Sequence, residues 1–271
     1  MYWGSLGILF LVCAALCAVG FYKFVYFLSV GYGLAVAGGS LATLILYLIA
    51  PTATPLWLVL VQALLFVAYG ARLSGFLLAR EYKNASFRKT NVAKASLSKT
   101  DEKKMPVFVM VVIWITVAVL YVAQVSPMLF RWKNGSTDWV VPVIGFVVSI
   151  GGLLLESAAD RQKSAQKKLR PDMVATQGLY RIVRCPNYLG EIIFWTGVFI
   201  SGLSTYCTAG QWITVLAAFL CIVYIMFNGA QRMEKRQMKQ YGDKPEYQAY
   251  ADHTPILLPL VPIYHLNRKK G

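Results

Sequence analysis

Seven long apolar runs, near 4–21, 24–50, 56–79, 106–127, 138–158, 189–207 and 210–228, constrain this chain more than any other feature. A helix needs roughly 20 residues to cross a hydrocarbon core of about 30 Å, and each run comes close to that or exceeds it. In lipid the backbone must satisfy its own hydrogen bonds, so such runs fold as helices. With 57% hydrophobic and 14% charged residues over 271 positions, the expected fold is an all-α, polytopic membrane bundle. Lys23 alone separates the first two runs, which read either as two crossings or as a re-entrant pair. The second run carries Gly31, Gly33, Gly38 and Gly39, which suit close helix packing better than nucleotide binding.

Charge placement orients the bundle. Of the 27 Lys and Arg residues, all but Arg72, Arg131 and Lys133 fall where a seven-span path puts one side of the membrane. The positive-inside rule then makes 80–105, 159–188 and the tail after 228 cytoplasmic, with the N-terminus outside or lumenal. The net charge of +15 serves orientation and attraction to anionic lipid headgroups, and makes no case for nucleic acid. A bacterial inner membrane and an endoplasmic reticulum membrane both fit, and oligomeric state is open. The first run lacks a charged flank, so it reads as a span with Met1-Tyr-Trp-Gly as an interfacial anchor. Five scattered cysteines without a CxxC pair and only two histidines predict neither a disulfide framework nor a metal site. Residues 80–105 read as a polar connection, 229–247 as a helix ending at Gly242, and 254–264 as a Pro-interrupted apolar segment that packs back on the bundle. The expected organisation is N-terminal helices over 1–55, central helices over 56–149, a C-terminal region over 150–260 and a polar tail over 261–271.

Polar residues inside such a chain are expensive and point to function. Residues 178–191, Gly-Leu-Tyr-Arg-Ile-Val-Arg-Cys-Pro-Asn-Tyr-Leu-Gly-Glu, lie between a basic segment and an apolar run. Pro186 suits a first helical turn, so a helix N-terminus sits at the membrane surface beside Arg181 and Arg184, a seat for the phosphates of a cofactor. Arg72 lies inside the third run with Tyr69 one turn deeper and Gln62 two turns beyond, a polar stripe expected to line a substrate pocket. Glu156, Asp160, Lys163 and Lys167 recur at intervals of four, three and four, hence on one helical face. That face is expected to emerge on the same side as Arg184, Asn187 and Glu191, so that helix ends converge on one cytosolic mouth.

With these residues assembled, the chain resembles the membrane reductases that share the steroid 5α-reductase C-terminal domain, including the DUF1295-like branch and the sterol reductases. The resemblance rests on Asp160-Arg-Gln-Lys163 with Lys167 and Lys168, on residues 178–191, and on Glu234, Tyr241-Gly242, Tyr247, Tyr250 and Pro259. It is strongest over about 150–260 and weaker over 69–81. It implies NADPH held in the cytosolic half of the bundle and hydride delivered to a carbon–carbon double bond of a lipid taken from the bilayer. In the family pattern Arg72, Asp160, Lys163, Lys167, Arg184, Asn187, Tyr188 and Glu191 fall on cofactor-contacting positions. Tyr69 falls on the tyrosine that hydrogen-bonds the substrate carbonyl, with Arg72 favouring the charge that develops there.

Two departures qualify this. The steroid enzymes pair that tyrosine with a glutamate from an earlier span, whereas the first two runs here contain no carboxylate; Gln62 is the available neutral substitute. Many relatives carry His where this chain has Cys185, which reads as a packing residue beside Pro186. A second resemblance, to S-adenosylmethionine-dependent isoprenylcysteine and phospholipid methyltransferases, centres on Arg184-Cys-Pro-Asn-Tyr-Leu-Gly190 and the glutamate of the tail.

Overall fold

A computed structural model describes the backbone of residues 2–83 and 106–267, and the side chains of 3–79 and 106–267. Most of the expected polar connection, 84–105, and the terminal Arg-Lys-Lys-Gly lie outside the described residues. The described chain is all-helical. It divides into two compact units, Met1–Trp139 with Gly202–Val215, and Val140–Ser201 with Leu216–Gly271.

The first unit holds α1 (Tyr2–Cys17), α2 (Val30–Ile49), α3 (Leu56–Lys83) and α4 (Val107–Asn134), with two 3₁₀ turns, Ala18–Phe21 and Phe24–Leu28, between α1 and α2. The expected first span therefore ends in an α-helix at Cys17 and continues as 3₁₀ turns. The glycines of α2 are packing residues. A Cβ on Gly33 would come within 2.7 Å of the Gly70 carbonyl oxygen on α3, and one on Gly39 within 3.1 Å of Cys13 Sγ on α1. Ser74 Oγ donates to Val30 O at 3.0 Å across the α2–α3 crossing, and Trp114 Nε1 donates to Ala14 O at 2.8 Å, joining α4 to α1. Close approach of backbones supplies dispersion contact where lipid offers no hydrophobic drive.

Helix α4 outruns the expected 106–127. It passes through Pro127 and stops at Gly135, whose φ of 61° is a left-handed cap. A clasp of hydrogen bonds holds this end: Thr54 Oγ1 to Arg131 O at 2.9 Å, Trp132 Nε1 to Ala50 O at 2.8 Å, and Arg131 Nη1 to Asp138 O at 3.1 Å.

The second unit holds α5 (Val140–Leu169), α6 (Pro186–Ser201), most of α7 (Ala209–Tyr241) and α8 (Pro245–His253). Helices α5 and α6 lie against each other through glycines. A Cβ on Gly145 would come within 2.5 Å of the Gly197 carbonyl oxygen, and one on Gly190 within 2.8 Å of both Gly152 O and Glu156 Cβ. At 30 residues α5 is about 45 Å long, well beyond an apolar core, so its charged C-terminal third projects from the membrane.

Among the described residues, six helices are long and apolar enough to cross a membrane: Trp3–Phe21, Val30–Ile49, Leu56–Ala79, Val107–Asn134, Val140–Leu169 and Ala209–Tyr241. The run expected over 189–207 becomes the 16-residue α6, about 24 Å long, because the chain turns away after Ser201. The protein is a multi-pass membrane protein. The last apolar run and the helix expected over the tail form one element: α7 continues through its basic half to Tyr241, next to the expected end at Gly242, and α8 follows as a separate short helix. A Cβ on Gly242 would crowd Met238 O, so a glycine belongs where α7 ends.

Candidate functional site

In the second unit the polar face of α5 acts as a template for the loop that enters α6. Gln166 Oε1 accepts from Thr176 N at 2.9 Å and Gln177 N at 3.0 Å, while its Nε2 donates to Gln177 O at 3.0 Å. Gln162 Oε1 accepts from Leu179 N at 2.9 Å. Gly178 takes a φ of 63°, which starts the 3₁₀ turn Gly178–Arg181 without steric cost. The chain then reaches Pro186, the first residue of α6, where its missing N–H costs nothing.

Arg184 occupies the centre of this arrangement. It is only 2% exposed, and its Nη2 donates to Glu234 Oε1 at 2.8 Å and to Tyr264 O. Glu234, fully buried on α7, gathers the C-terminal segment: its Oε2 accepts from Leu266 N at 2.9 Å, Asn267 N at 3.0 Å and Asn267 Nδ2 at 2.9 Å. His265 bridges Glu234 Oε1 at 3.1 Å and Asp252 Oδ1 on α8 at 2.7 Å. Arg184 N donates to Pro255 O at 2.9 Å, and Ile256 and Leu257 bury against Cys185 and Ala230, so 254–264 packs back as expected. Arg184 is therefore half-neutralised by the protein, and Arg181 remains at the surface.

Several polar atoms around Arg184 are buried with no hydrogen bond of good geometry: Arg184 Nε and Nη1, Asn187 Oδ1, and the hydroxyls of Tyr180 and of Tyr247, the last lying close to the Arg184 guanidinium. Burial, with Asp160 nearby, pushes the Tyr180 hydroxyl well above the usual phenol range. Burial raises Tyr247 as well, against the pull of the neighbouring Arg184, and raises Tyr250, whose hydroxyl donates to Tyr180 O at 2.6 Å. These phenols stay protonated and remain donors. Each orphaned buried polar group costs about 1–3 kcal/mol, so a cluster of them is shaped for something else.

The remaining expected cofactor residues except Arg72 lie in the same unit. Asp160 and Lys163 are half-buried on α5, Asp160 acting on Tyr180 and Lys163 on Cys185 through their charges. Lys167 is committed to the end of α7, donating to Tyr241 Oη at 2.7 Å and to Pro171 O at 3.2 Å. Glu191 is buried and accepts from Trp195 Nε1 at 3.0 Å, and Glu156 packs beside Gly190. The Tyr188 ring lies where a Cβ on Gly229 would be 3.2 Å from Cε2. Burial pushes the Cys185 thiol up to about 12, which fits a packing residue and not a nucleophile. His265 and Asp252 escape sequence reasoning, since two isolated histidines signal only scarcity.

The first unit holds the other expected group. Tyr69 is fully buried and Gln62 nearly so, while Arg72 is partly exposed with its guanidinium 5.7 Å from the Phe76 ring centroid. Tyr69 meets the Tyr32 ring edge-on at 5.7 Å, and Tyr32 stacks on Tyr121 at 5.0 Å. Tyr121 Oη donates to Phe27 O at 2.5 Å, and Gln124 Nε2 donates to Tyr32 Oη at 3.3 Å. Tyr69 thus packs against an aromatic cluster, and the first two helices carry no carboxylate to pair with it.

The family described as a protein of unknown function (DUF1295) matches residues 29–254, most of the chain. The match reaches further toward the N-terminus than the motifs do and takes in α2 to α4. Over 68 residues the chain is 35% identical to steroid 5-alpha-reductase DET2 of Arabidopsis thaliana, a stretch that is 24% of this chain and 26% of that protein. The alignment thus spans about a quarter of that relative's length. No solved structure matches the chain.

Proposed function

The chain belongs to the DUF1295 family, and from that premise we propose that it is a membrane-embedded, NADPH-dependent reductase of a carbon–carbon double bond in a lipid. The observation that carries this reading is the cluster of buried polar atoms with no hydrogen bond of good geometry at Arg184, Asn187, Tyr180 and Tyr247. Four of those atoms are donors, and a phosphate-bearing dinucleotide presents acceptors to match them. The partial likeness to a steroid reductase supports the same chemistry.

Arg184, Asn187, Tyr188, Asp160, Lys163, Lys167 and Glu191 are the residues that would hold the cofactor. Arg184 works as a fixed donor more than as a free charge, since Glu234 already offsets it. Glu234 in turn keeps the guanidinium from rotating. Lys163 supplies positive charge at the same end of α5. When bound, the nicotinamide supplies the hydride. Tyr69 donates a hydrogen bond to the oxygen of an activated alkene as negative charge builds there, and Arg72 favours that charge. Gln62 lines the substrate side of this stripe. A buried phenol in an apolar bundle is an effective donor because water does not compete for it.

The reading is tested by incubating purified protein in lipid nanodiscs with enone lipids and NADPH deuterated at the nicotinamide C4. Deuterium recovered in the saturated lipid supports it. Transfer of a methyl group from S-adenosylmethionine to a lipid, with no deuterium incorporation, would replace it with methyl transfer.

A further inference from the structure

A second feature of the first unit bears on substrate choice, and it rests on the lipid-reductase reading. Gln124 sits within α4, 3% exposed, between Ala123 and Val125. Its Nε2 donates to Tyr32 Oη at 3.3 Å, and its Oε1 is buried with no hydrogen-bond partner. The idle acceptor belongs to the orientation in which Nε2 donates to Tyr32 Oη; turned over, the amide would leave its NH2 group idle instead. Tyr32 is held on both sides, stacked on Tyr121 at 5.0 Å and edge-on to Tyr69 at 5.7 Å. Tyr121 is itself anchored to Phe27 O. The amide is therefore attached to a rigid aromatic platform that includes the residue expected to bind the substrate carbonyl.

An amide buried in a membrane helix with an idle acceptor is costly unless something meets it. We propose that Gln124 is a specificity-determining residue whose amide oxygen accepts a hydrogen bond from a hydroxyl group of the lipid substrate. The site then takes a lipid carrying two oxygen functions, a carbonyl for Tyr69 and a hydroxyl for Gln124. A lipid that lacks the hydroxyl leaves the acceptor unmatched and binds less well. Discrimination by a site built to pair a polar group is much stronger than discrimination by shape alone.

The test uses the full chain in detergent without dinucleotide, and measures the binding of two enone steroids, testosterone and the counterpart lacking its D-ring hydroxyl. Wild type is expected to prefer the hydroxylated lipid by about tenfold, the factor that goes with one ordinary hydrogen bond. Gln124→Met, of similar volume, abolishes that preference, and Gln124→Glu, which keeps an acceptor when protonated in the bilayer, retains it. Tyr32→Phe releases the amide and shrinks the preference, which keeps the test decisive if Gln124→Met does not fold. No preference in wild type, a preference unchanged in Gln124→Met or Tyr32→Phe, or no binding of either lipid overturns the proposal. Because no cofactor is present, failure of the reductase reading shows separately, as a retained lipid preference with no response to NADPH.

Discussion

Arg184 and Glu234 meet at 2.8 Å with both side chains shut away from solvent, one just before α6 and the other on α7. The pair ties the loop that carries the motif to the helix that anchors the C-terminal segment. Removing one member leaves the other charged and buried. Arg184→Ala or Glu234→Leu should each cost about 3–5 kcal/mol of stability, whereas the double replacement Arg184→Met with Glu234→Leu should recover most of it. Chemical denaturation in detergent measures the cycle. Single variants as stable as wild type would mean the pair contributes nothing to the fold.

Tyr69→Phe removes a donor and keeps the ring that packs on Tyr32. Turnover of an enone lipid should fall by at least about tenfold, while cofactor affinity stays within twofold of wild type. Full activity in this variant would take Tyr69 out of the mechanism.

The basic loops predict sidedness by the positive-inside rule, and the cysteines provide a native probe of it. Cys207 is exposed in the turn between α6 and α7, while Cys185 is fully buried with its thiol pushed up to about 12. In sealed vesicles a membrane-impermeant maleimide should label Cys207 from the face opposite the loop 159–188, and Cys185 should stay unlabelled at neutral pH. Labelling of Cys207 from the same face as an epitope in that loop would invert or refold the assigned topology.

Two exposed ion pairs hold the start of α8 to the loop after α5, Arg170 to Glu246 at 2.8 Å and Lys244 to Asp172 at 3.0 Å. Hydrogen bonds from the cations lower both carboxyl groups below their ordinary values of 4.5 and 3.8. A lowered folded value gives stability that is fully present above the ordinary value and is lost as pH falls through the lowered one. Amide exchange over 245–253 should accordingly be flat from neutral pH to about pH 5 and rise, beyond the intrinsic rate, below about pH 4. Salt should loosen the same segment. Protection that persists unchanged to pH 3 would show that α8 is held by its apolar contacts alone.

Membrane helices announce themselves because lipid demands long apolar runs, and the cores of six of the seven expected spans stand where hydropathy puts them, while the run over 189–207 forms only the shorter α6. Their ends do not. Helix α5 runs on into polar sequence because no glycine or proline interrupts it from Leu153 to Leu169, and α7 runs on through Gly229 to Tyr241 because the good helix formers beyond that glycine continue the hydrogen-bond ladder. The Arg184–Glu234 pair is hidden for another reason. Fifty positions separate the partners, and nothing local tells a cation which carboxylate the fold will bring to it. Gln124 is hidden because a single amide in an apolar run carries no motif; its meaning comes from Tyr32, a helix away. Cys185, by contrast, is legible as a packing residue beside Pro186, and it buries against Ala230, Ile256 and Leu257.

The most direct test of the account is thermal unfolding of the purified protein in detergent with saturating NADPH, NADH or S-adenosylmethionine. A ligand at about 100 times its dissociation constant stabilises the fold by about 2.7 kcal/mol. NADPH is expected to raise the unfolding temperature selectively, and Tyr180→Phe with Tyr247→Phe, which removes two of the buried donors around Arg184, is expected to blunt that rise. Stabilisation by S-adenosylmethionine alone, or by none of the three in a demonstrably folded sample, would contradict it.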